Sequence, residues 1–268
     1  MQYVQTDDGV RLAYRDLGSG RPLVLVHGLG IGGRIWDYQI PALADRFRVI
    51  VPDMRGHGES DKPDSGYSLE TLTGDIETLV TELELDDVVL VGWSLGGYVG
   101  AMYGAGRPSA LGRLVIVASG VVHWGADPDV DSTYALDMAA VAEERRQDRP
   151  RAEREFVDRI FEADVGEDTK QWVWNLCLRT PLYASLSLFD ALDGLEHERW
   201  REILADIAVP TDVFHGVYDD AAENHVARHV VEDVVPEGRY VEFEHSGHVP
   251  FVEEKTRFND QIRKSVSS

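Results

Sequence analysis

The feature that most constrains this chain is the segment Gly92-Trp93-Ser94-Leu95-Gly96, which directly follows the apolar run of residues 88–91. A short β-branched run that leads into Gly-x-Ser-x-Gly is typical of a sharp strand-to-helix turn that exposes a serine hydroxyl. Such a turn strains the serine backbone, and side chains beside it would clash, so Gly92 and Gly96 have a steric reason to be glycine. Ser94 is therefore the first candidate for a reactive atom.

The pattern of apolar runs predicts a mostly parallel sheet with helices on both faces. Short, continuous apolar runs are typical of strands buried on both sides, and they alternate here with stretches of helical spacing. Such runs fall at residues 23–26, 49–51 and 88–91, a further strand is expected at 113–118, and strand character returns at 209–215 and 239–243. A hairpin is expected over residues 3–14, and helices over 68–83, with Ser68 as N-cap, and over 95–106. This alternation indicates a doubly wound α/β sheet.

The middle of the chain breaks this alternation. Residues 121–205 are helical in pattern, highly charged, and rich in tryptophan and tyrosine. We interpret this stretch as a helical cap inserted into an α/β core made of residues 1–120 and 206–268. Open α/β sheets place their ligands at the carboxyl ends of the strands, so the cap is expected to lie over that edge.

Composition restricts the partners that the chain can have. Its formal charge is −22, from 48 acidic and 26 basic residues, so the surface repels nucleic acid and anionic membranes. The same field disfavours highly anionic substrates unless local arginines offset it. Only four basic residues are lysine, and both a high-salt cytoplasm and codon bias explain an acidic, lysine-poor surface.

Cysteine content and the N-terminus point to a cytoplasmic protein without a membrane anchor. Cys177 is the only cysteine, so no internal disulfide can form, and a buried inert thiol is expected. The first eight residues are polar and lack the pattern of a signal peptide, and no stretch approaches eighteen apolar residues.

A serine nucleophile needs a base, usually a histidine that a carboxylate orients. His248 and Asp219 each follow a predicted strand, so the chain order is Ser94, Asp219, His248, with each residue at the carboxyl end of a strand. His245 is an alternative base, but Gly247 suits a tight loop that delivers His248. Asp220 is an alternative acid, and Asp219 is preferred because its spacing from the strand places it at the loop tip.

Other polar residues offer weaker candidates for the same roles. An acid after the earlier strand, at Asp127 or Asp129, is a third possibility, although residues 119–124 contain no carboxylate. The remaining histidines are expected to be structural or solvated, and none has the spacing of a zinc ligand pair, so no metal is expected. These are His57, His123, His197, His215, His225 and His229.

Acyl transfer also requires backbone N–H groups that stabilise a developing oxyanion. Leu95, which follows the nucleophile, is one expected donor, and Leu29, in the glycine-rich segment after the strand at 23–26, is the other. A phosphate-binding loop is the rival interpretation of that segment. It is disfavoured because the Gly-x-x-x-x-Gly-Lys-Ser/Thr pattern and the third glycine of a dinucleotide fingerprint are both absent.

With these residues assembled, the chain resembles α/β-hydrolase fold proteins of the serine esterase, cofactor-free haloperoxidase and enol-lactonase group. The resemblance covers residues 1–120 and 208–268, and it includes residues 52–60, Pro-Asp-Met-Arg-Gly-His-Gly-Glu-Ser, a segment that in the family ties loops near the active site. It implies a doubly wound, mostly parallel eight-stranded sheet with a helical cap, and no cofactor. Haloalkane dehalogenases and many epoxide hydrolases carry aspartate at the nucleophile position, so Ser94 argues against both.

The leading expectation is a hydrolase of small to medium, fairly apolar carboxylic esters. Trp93, Trp124, Trp172 and Tyr183 are the residues expected to line its substrate pocket. A lactonase or a C–C bond hydrolase of a ring-derived metabolite is the second hypothesis, since the same triad serves all three reactions. A ligand receptor that keeps the hydrolase fold is the third.

Overall fold

The structure is a computed structural model that describes residues 1–126, 137–193, 196–220 and 223–267 of the 268-residue chain. Eight strands in these residues form one sheet with the order β1-β2-β4-β3-β5-β6-β7-β8. The strands are β1 (Gln2–Gln5), β2 (Arg11–Leu17), β3 (Pro22–Val26), β4 (Arg48–Pro52), β5 (Val88–Trp93), β6 (Leu111–Val117), β7 (Thr211–Gly216) and β8 (Gly238–Phe243). The β1–β2 and β2–β4 pairs are antiparallel and the other neighbours are parallel, which confirms the α/β sheet predicted from the apolar runs.

Helices cover both faces of this sheet. They are α1 (Ile40–Leu43), α2 (Leu69–Glu82), α3 (Leu95–Ala105), α4 (Val121–Trp124), α5 (Met138–Arg159), α6 (Glu167–Cys177), α7 (Leu182–Leu192), α8 (His197–Asp206), α9 (Asn224–Asp233), α10 (Pro250–Glu253) and α11 (Lys255–Ser267). Helix α2 begins where its sequence predicts, because the Ser68 hydroxyl accepts a hydrogen bond from the Thr71 N–H at 3.2 Å.

Strand β3 shows why continuous apolar runs form the centre of the sheet. Val24 and Val26 point into the hydrophobic cluster on one face, and Leu23 and Leu25 into the cluster on the other. All four side chains are fully buried. A strand with polar residues at alternate positions would leave one of these clusters incomplete.

Helices α4–α8, between β6 and β7, are called the cap helices below. Helix α5 is broken at Asp148, whose backbone is extended and whose carboxylate accepts a hydrogen bond from the Arg151 N–H at 3.3 Å. Pro150 then lies in the first turn of a new helical segment, where its missing N–H costs nothing. The break places residues 138–147 and 149–159 at an angle to one another, so both segments can contact one cavity.

The cap helices differ in what they pack against. Trp200 and Leu204 of α8 are buried in the same cluster as the sheet residues, and the Trp200 ring lies 5.0 Å from the Tyr98 ring of α3.

Cys177, at the end of α6, is buried, and burial raises the pKa of its thiol. Among the residues with described coordinates, no helix is both long and apolar enough to cross a bilayer.

Candidate active site

The turn between β5 and α3 holds Ser94 in a backbone conformation that few residues other than glycine adopt. Its φ is 53° and its ψ is −114°. A Cβ atom on Gly92 would lie 2.1 Å from the Gly96 carbonyl oxygen, and one on Gly96 would lie 2.6 Å from the Val26 carbonyl oxygen. Both glycines therefore have the steric reason that the motif predicts, and the strain at Ser94 is maintained by the packing around it.

His248 lies on the loop after β8, and bonds from two directions fix this loop. The Trp93 indole N–H donates to the His248 carbonyl oxygen at 2.8 Å. The His248 backbone N–H donates to the Ile160 carbonyl oxygen, at the end of α5, at 3.0 Å. The loop is thus tied both to the residue before Ser94 and to the cap.

The imidazole of His248 pairs with the carboxylate of Asp219. Nδ1 of His248 donates to Oδ1 of Asp219 at 2.9 Å, and the Asp219 side chain is fully buried. With Nδ1 engaged in this bond, Nε2 is the ring nitrogen left to act as a base. The structure therefore assembles the His–Asp half of the predicted constellation.

Electrostatics around His248 favour its charged form. Burial, the largest single effect, lowers the pKa of His248, but the charge and hydrogen bond of Asp219, together with the charges of Asp220 and Glu253, outweigh it. The pKa of His248 is therefore raised above its ordinary value of 6.5. A more basic imidazole is a stronger proton acceptor once it is deprotonated.

The alternatives for acid and base make other contacts. Asp220 pairs with Arg159 of the cap at 3.2 Å, and both side chains are about half exposed. His245 is exposed, and its backbone N–H bonds to Glu254. Asp127 and Asp129, the third possibility for the acid, lie outside the described residues.

Two buried histidines position the loop that contains Leu29. Nε2 of His57 accepts the Gly30 N–H at 2.9 Å, and Nε2 of His27 accepts the Met54 N–H at 3.0 Å. Each imidazole must be neutral to accept these bonds. Burial, the largest effect, lowers the pKa of His27 to about 4 and that of His57 to about 3. His57 is thus structural, as predicted, and it holds the segment of residues 52–60 against the Leu29 loop.

Ser94, His248, Leu29 and Leu95 line one cavity between the sheet and the cap helices. Its volume is about 100 Å³. A water molecule needs roughly 10–15 Å³ of such space, so there is room for about seven to ten groups of that size. The cap contributes a mainly apolar wall: Met138, Val141, Phe156, Ile160, Phe189 and Leu192. A chain of moderate length fits these dimensions.

The aromatic residues predicted to line the pocket divide into two groups. Trp93 lines the cavity, and its ring lies 5.4 Å from that of His248. The structure does not bring the other three to it. The Trp124 ring lies 4.9 Å from the His197 ring at a tilt of 49°, and the Trp172 ring lies edge-on to Tyr38 at 5.7 Å. Tyr183 is 41% exposed and donates its hydroxyl to the Lys62 carbonyl oxygen.

Sequence reasoning missed the residues that the cap supplies instead. Arg145 and Phe189 line the cavity, and both come from charged or apolar helical stretches without a motif. The break at Asp148, which turns the two halves of α5 toward the cavity, has a signal in the Pro150 that follows it. Within the described ranges, no cluster of three or more His, Cys, Asp or Glu side chains could hold a metal ion.

Comparisons with known proteins agree with this fold. A family model described as alpha/beta hydrolase fold matches residues 21–255. An esterase from Exiguobacterium antarcticum superposes with a TM-score of 0.92 at 28% identity, covering 99% of both chains. The enol-lactonase from Burkholderia xenovorans LB400 has a TM-score of 0.85 at 25% identity, covering 100% of both. The non-heme chloroperoxidase CPO-A1 of Kitasatospora aureofaciens is 30% identical over 92% of each chain.

The chain belongs to the alpha/beta hydrolase fold family. Its similarity to an esterase, an enol-lactonase and a chloroperoxidase confirms the resemblance that the sequence motifs indicate. The family and the esterase neighbours support a hydrolase, and they leave the substrate open.

Proposed function

We propose that the protein is a serine hydrolase that cleaves small to medium, fairly apolar carboxylic esters through an acyl-enzyme intermediate. The observation that carries this proposal is the buried 2.9 Å bond between His248 and Asp219, next to a cavity that His248 shares with the strained Ser94. Similarity to a solved esterase along the whole chain supports the same reaction class.

In the proposed mechanism, Nε2 of His248 takes the hydroxyl proton as Ser94 Oγ attacks the ester carbonyl carbon. Asp219 keeps the imidazole in the required tautomer and stabilises its charged form. The imidazolium then gives its proton to the leaving alkoxide, which departs as the alcohol. Water, deprotonated by His248, attacks the acyl–Ser94 ester, and the imidazolium returns the proton to Ser94 Oγ as the carboxylic acid leaves.

The oxyanion of each tetrahedral intermediate would be bound by the backbone N–H groups of Leu29 and Leu95. Both residues line the cavity beside Ser94. Each fixed donor of this kind stabilises the transition state by about 2.7–4 kcal/mol. His57, which bonds to Gly30, would keep the Leu29 donor in place.

A panel of p-nitrophenyl esters with acyl chains of two to ten carbons tests the proposal. We expect turnover with an optimum at short or medium chains, because the cavity is small, and loss of turnover in the Ser94→Ala variant. Equal turnover by Ser94→Ala and the unchanged protein would contradict the mechanism.

Lactone hydrolysis is a second candidate, favoured by similarity along the whole chain to an enol-lactonase. The same panel should therefore include five- and six-membered lactones and an enol lactone. Inert open-chain esters together with a reactive lactone would assign the protein to that class.

A further inference from the structure

Arg145 is a buried cation in the wall of the Ser94 cavity. It lies on α5 before the break, lines the cavity, and is 5% exposed. Its guanidinium carbon lies 4.8 Å from the centre of the Phe189 ring and 5.5 Å from that of Phe156. Cation–π contacts of this kind lower the cost of burying the charge. A wall that only had to hold an apolar chain would not need a cation at this position.

The ion pair that Arg145 makes does not neutralise its surroundings. Nε and Nη2 of Arg145 each donate to Glu153 at 3.2 Å, and this pair spans the break in α5. Glu153 also faces Arg149, with an Nε–Oε1 distance of 3.7 Å. One buried carboxylate is therefore shared by two guanidinium groups, and the cluster carries one excess positive charge.

Arg145 has donor capacity beyond this pair. Its third bond goes from Nη1 to the Val141 carbonyl oxygen at 3.3 Å. A guanidinium has five N–H donors, of which these bonds use three. Since Arg145 is only 5% exposed, a carboxylate that reached it would gain a charge-assisted hydrogen bond and would offset the excess charge.

The other arginine in the cavity lining has a different environment. Arg159 pairs with Asp220, and both side chains are about half exposed, so this pair marks the open side of the cavity. Arg145, which is only 5% exposed, lies on the closed side. In a serine hydrolase the alcohol must leave while the acyl part stays on Ser94, so the closed side suits the acyl part.

We propose that Arg145 binds a carboxylate at the far end of the acyl chain, so that the preferred substrates are half-esters of dicarboxylic acids. The proposal rests on the ester hydrolase function proposed above and names its substrate class. It also resolves a tension in the sequence, because a chain of net charge −22 repels anions unless local arginines offset its field.

The first test compares two ester series on the unchanged protein. One consists of the p-nitrophenyl half-esters of succinate, glutarate and adipate. The other replaces each free carboxylate by an isopropyl group of the same shape, as in p-nitrophenyl 5-methylhexanoate for glutarate. We expect kcat/KM to be at least about tenfold higher for the best half-ester than for its apolar match, mainly through a lower KM.

Three variants then assign the preference. Arg145→Met should reduce the half-ester to apolar-ester ratio by about 10- to 100-fold, and Arg149 would still neutralise Glu153. Arg145→Lys should retain part of the ratio, since the charge stays and the planar fork is lost. Arg151→Met removes the same charge from an exposed position on α5, where Arg151 pairs with Glu155, and should leave the ratio unchanged.

The outcomes separate this proposal from the function on which it rests. If apolar esters react as well as the half-esters, or better, the proposal of a carboxylate subsite is wrong, and the proposed ester hydrolase function is unaffected. An equal loss of the ratio in Arg145→Met and Arg151→Met would overturn it too, since the effect would be long-range. If neither series reacts, both proposals fail. The first comparison needs no variant, so the proposal stays falsifiable if Arg145→Met does not fold.

Discussion

The two sides of the Ser94 cavity are built in different ways. On the sheet side, backbone constraints fix each group: the turn at Ser94 tolerates only glycine at positions 92 and 96, and the Leu29 loop is held by the His57 imidazole. On the cap side, helix packing places the side chains, and the wall is a set of apolar residues around Arg145. The sheet side would set the reaction and the cap side the substrate.

This difference predicts how each side responds to mutation. Changes on the sheet side should abolish turnover for every ester, because they alter groups that act on the reacting carbonyl. Changes on the cap side should redistribute activity among esters. The following experiments test that division, from the largest expected effect to the smallest.

Asp219→Asn should lower kcat by about 10⁴-fold, because an amide cannot hold His248 in the required tautomer or stabilise its charged form. The matched variant is Asp220→Asn, which changes the neighbouring carboxylate that pairs with the cap residue Arg159. It should lower kcat by less than about tenfold. Steady-state kinetics on one ester measure kcat for both variants. A comparable loss of kcat in both would contradict the assignment of Asp219 as the acid.

Gly92→Ala should destabilise the protein by about 3 kcal/mol or more, since the new Cβ would lie 2.1 Å from a backbone oxygen. Gly74→Ala, in the middle of α2, is the control. Nothing lies within 4 Å of its new Cβ, and it should stabilise by about 0.5–1 kcal/mol. Urea unfolding of both variants measures these changes, and a Gly92→Ala protein of unchanged stability would show that the turn is not sterically fixed.

His57 should make the sheet side sensitive to acid. Burial lowers the pKa of His57 to about 3, so the unfolded chain binds a proton at this residue below pH 6.5 while the folded chain does not. Stability from His57 is therefore lost as the pH falls below 6.5, by up to roughly 1.4 kcal/mol per pH unit.

The His57→Gln variant isolates this effect, because glutamine can accept the Gly30 N–H but does not titrate. Urea unfolding at pH 7.5, 6.0 and 5.0 should show the unchanged protein losing stability relative to His57→Gln as the pH falls. A constant difference between the two proteins would mean that His57 is not buried in its neutral form.

The pH profile of kcat/KM tests His248 as the base. Protonated imidazole cannot accept the Ser94 proton, so activity should fall with decreasing pH. Burial lowers the pKa of His248, but Asp219, Asp220 and Glu253 together raise it above its ordinary value, which places the midpoint of this fall above 6.5. His245→Ala, at an exposed histidine, should leave the midpoint in place. A flat profile down to pH 5 would exclude His248 from this role.

The sequence predicts the sheet side well because its constraints are local. Gly92, Ser94 and Gly96 stand within one turn, and a buried strand before them is visible as an apolar run. The positions of Asp219 and His248 follow because parallel strands end at the same edge of a sheet. Spacing from the strand favours Asp219 over Asp220 in the sequence, and in the structure it is the Asp219 carboxylate that bonds to His248, while Asp220 pairs with Arg159.

The cap side could not be predicted in the same way. Aromatic content suggested Trp124, Trp172 and Tyr183 for the pocket, but the structure places these residues against other elements. Which face of a cap helix meets the cavity depends on how the helices pack and on the break at Asp148. Helix packing leaves no periodic pattern in the sequence, and the only sign of the break is Pro150. Nothing in the sequence distinguishes the buried Arg145 from the exposed arginines near it.

The most direct measurement is a crystal structure of the protein after reaction with a small alkyl p-nitrophenyl phosphonate, which mimics the tetrahedral intermediate. We predict a bond between phosphorus and Ser94 Oγ, a phosphoryl oxygen about 2.7–3.1 Å from the N–H groups of both Leu29 and Leu95, and Nε2 of His248 within reach of Oγ. Phosphorus on another residue, or a phosphoryl oxygen that points away from Leu29 and Leu95, would contradict the proposed mechanism.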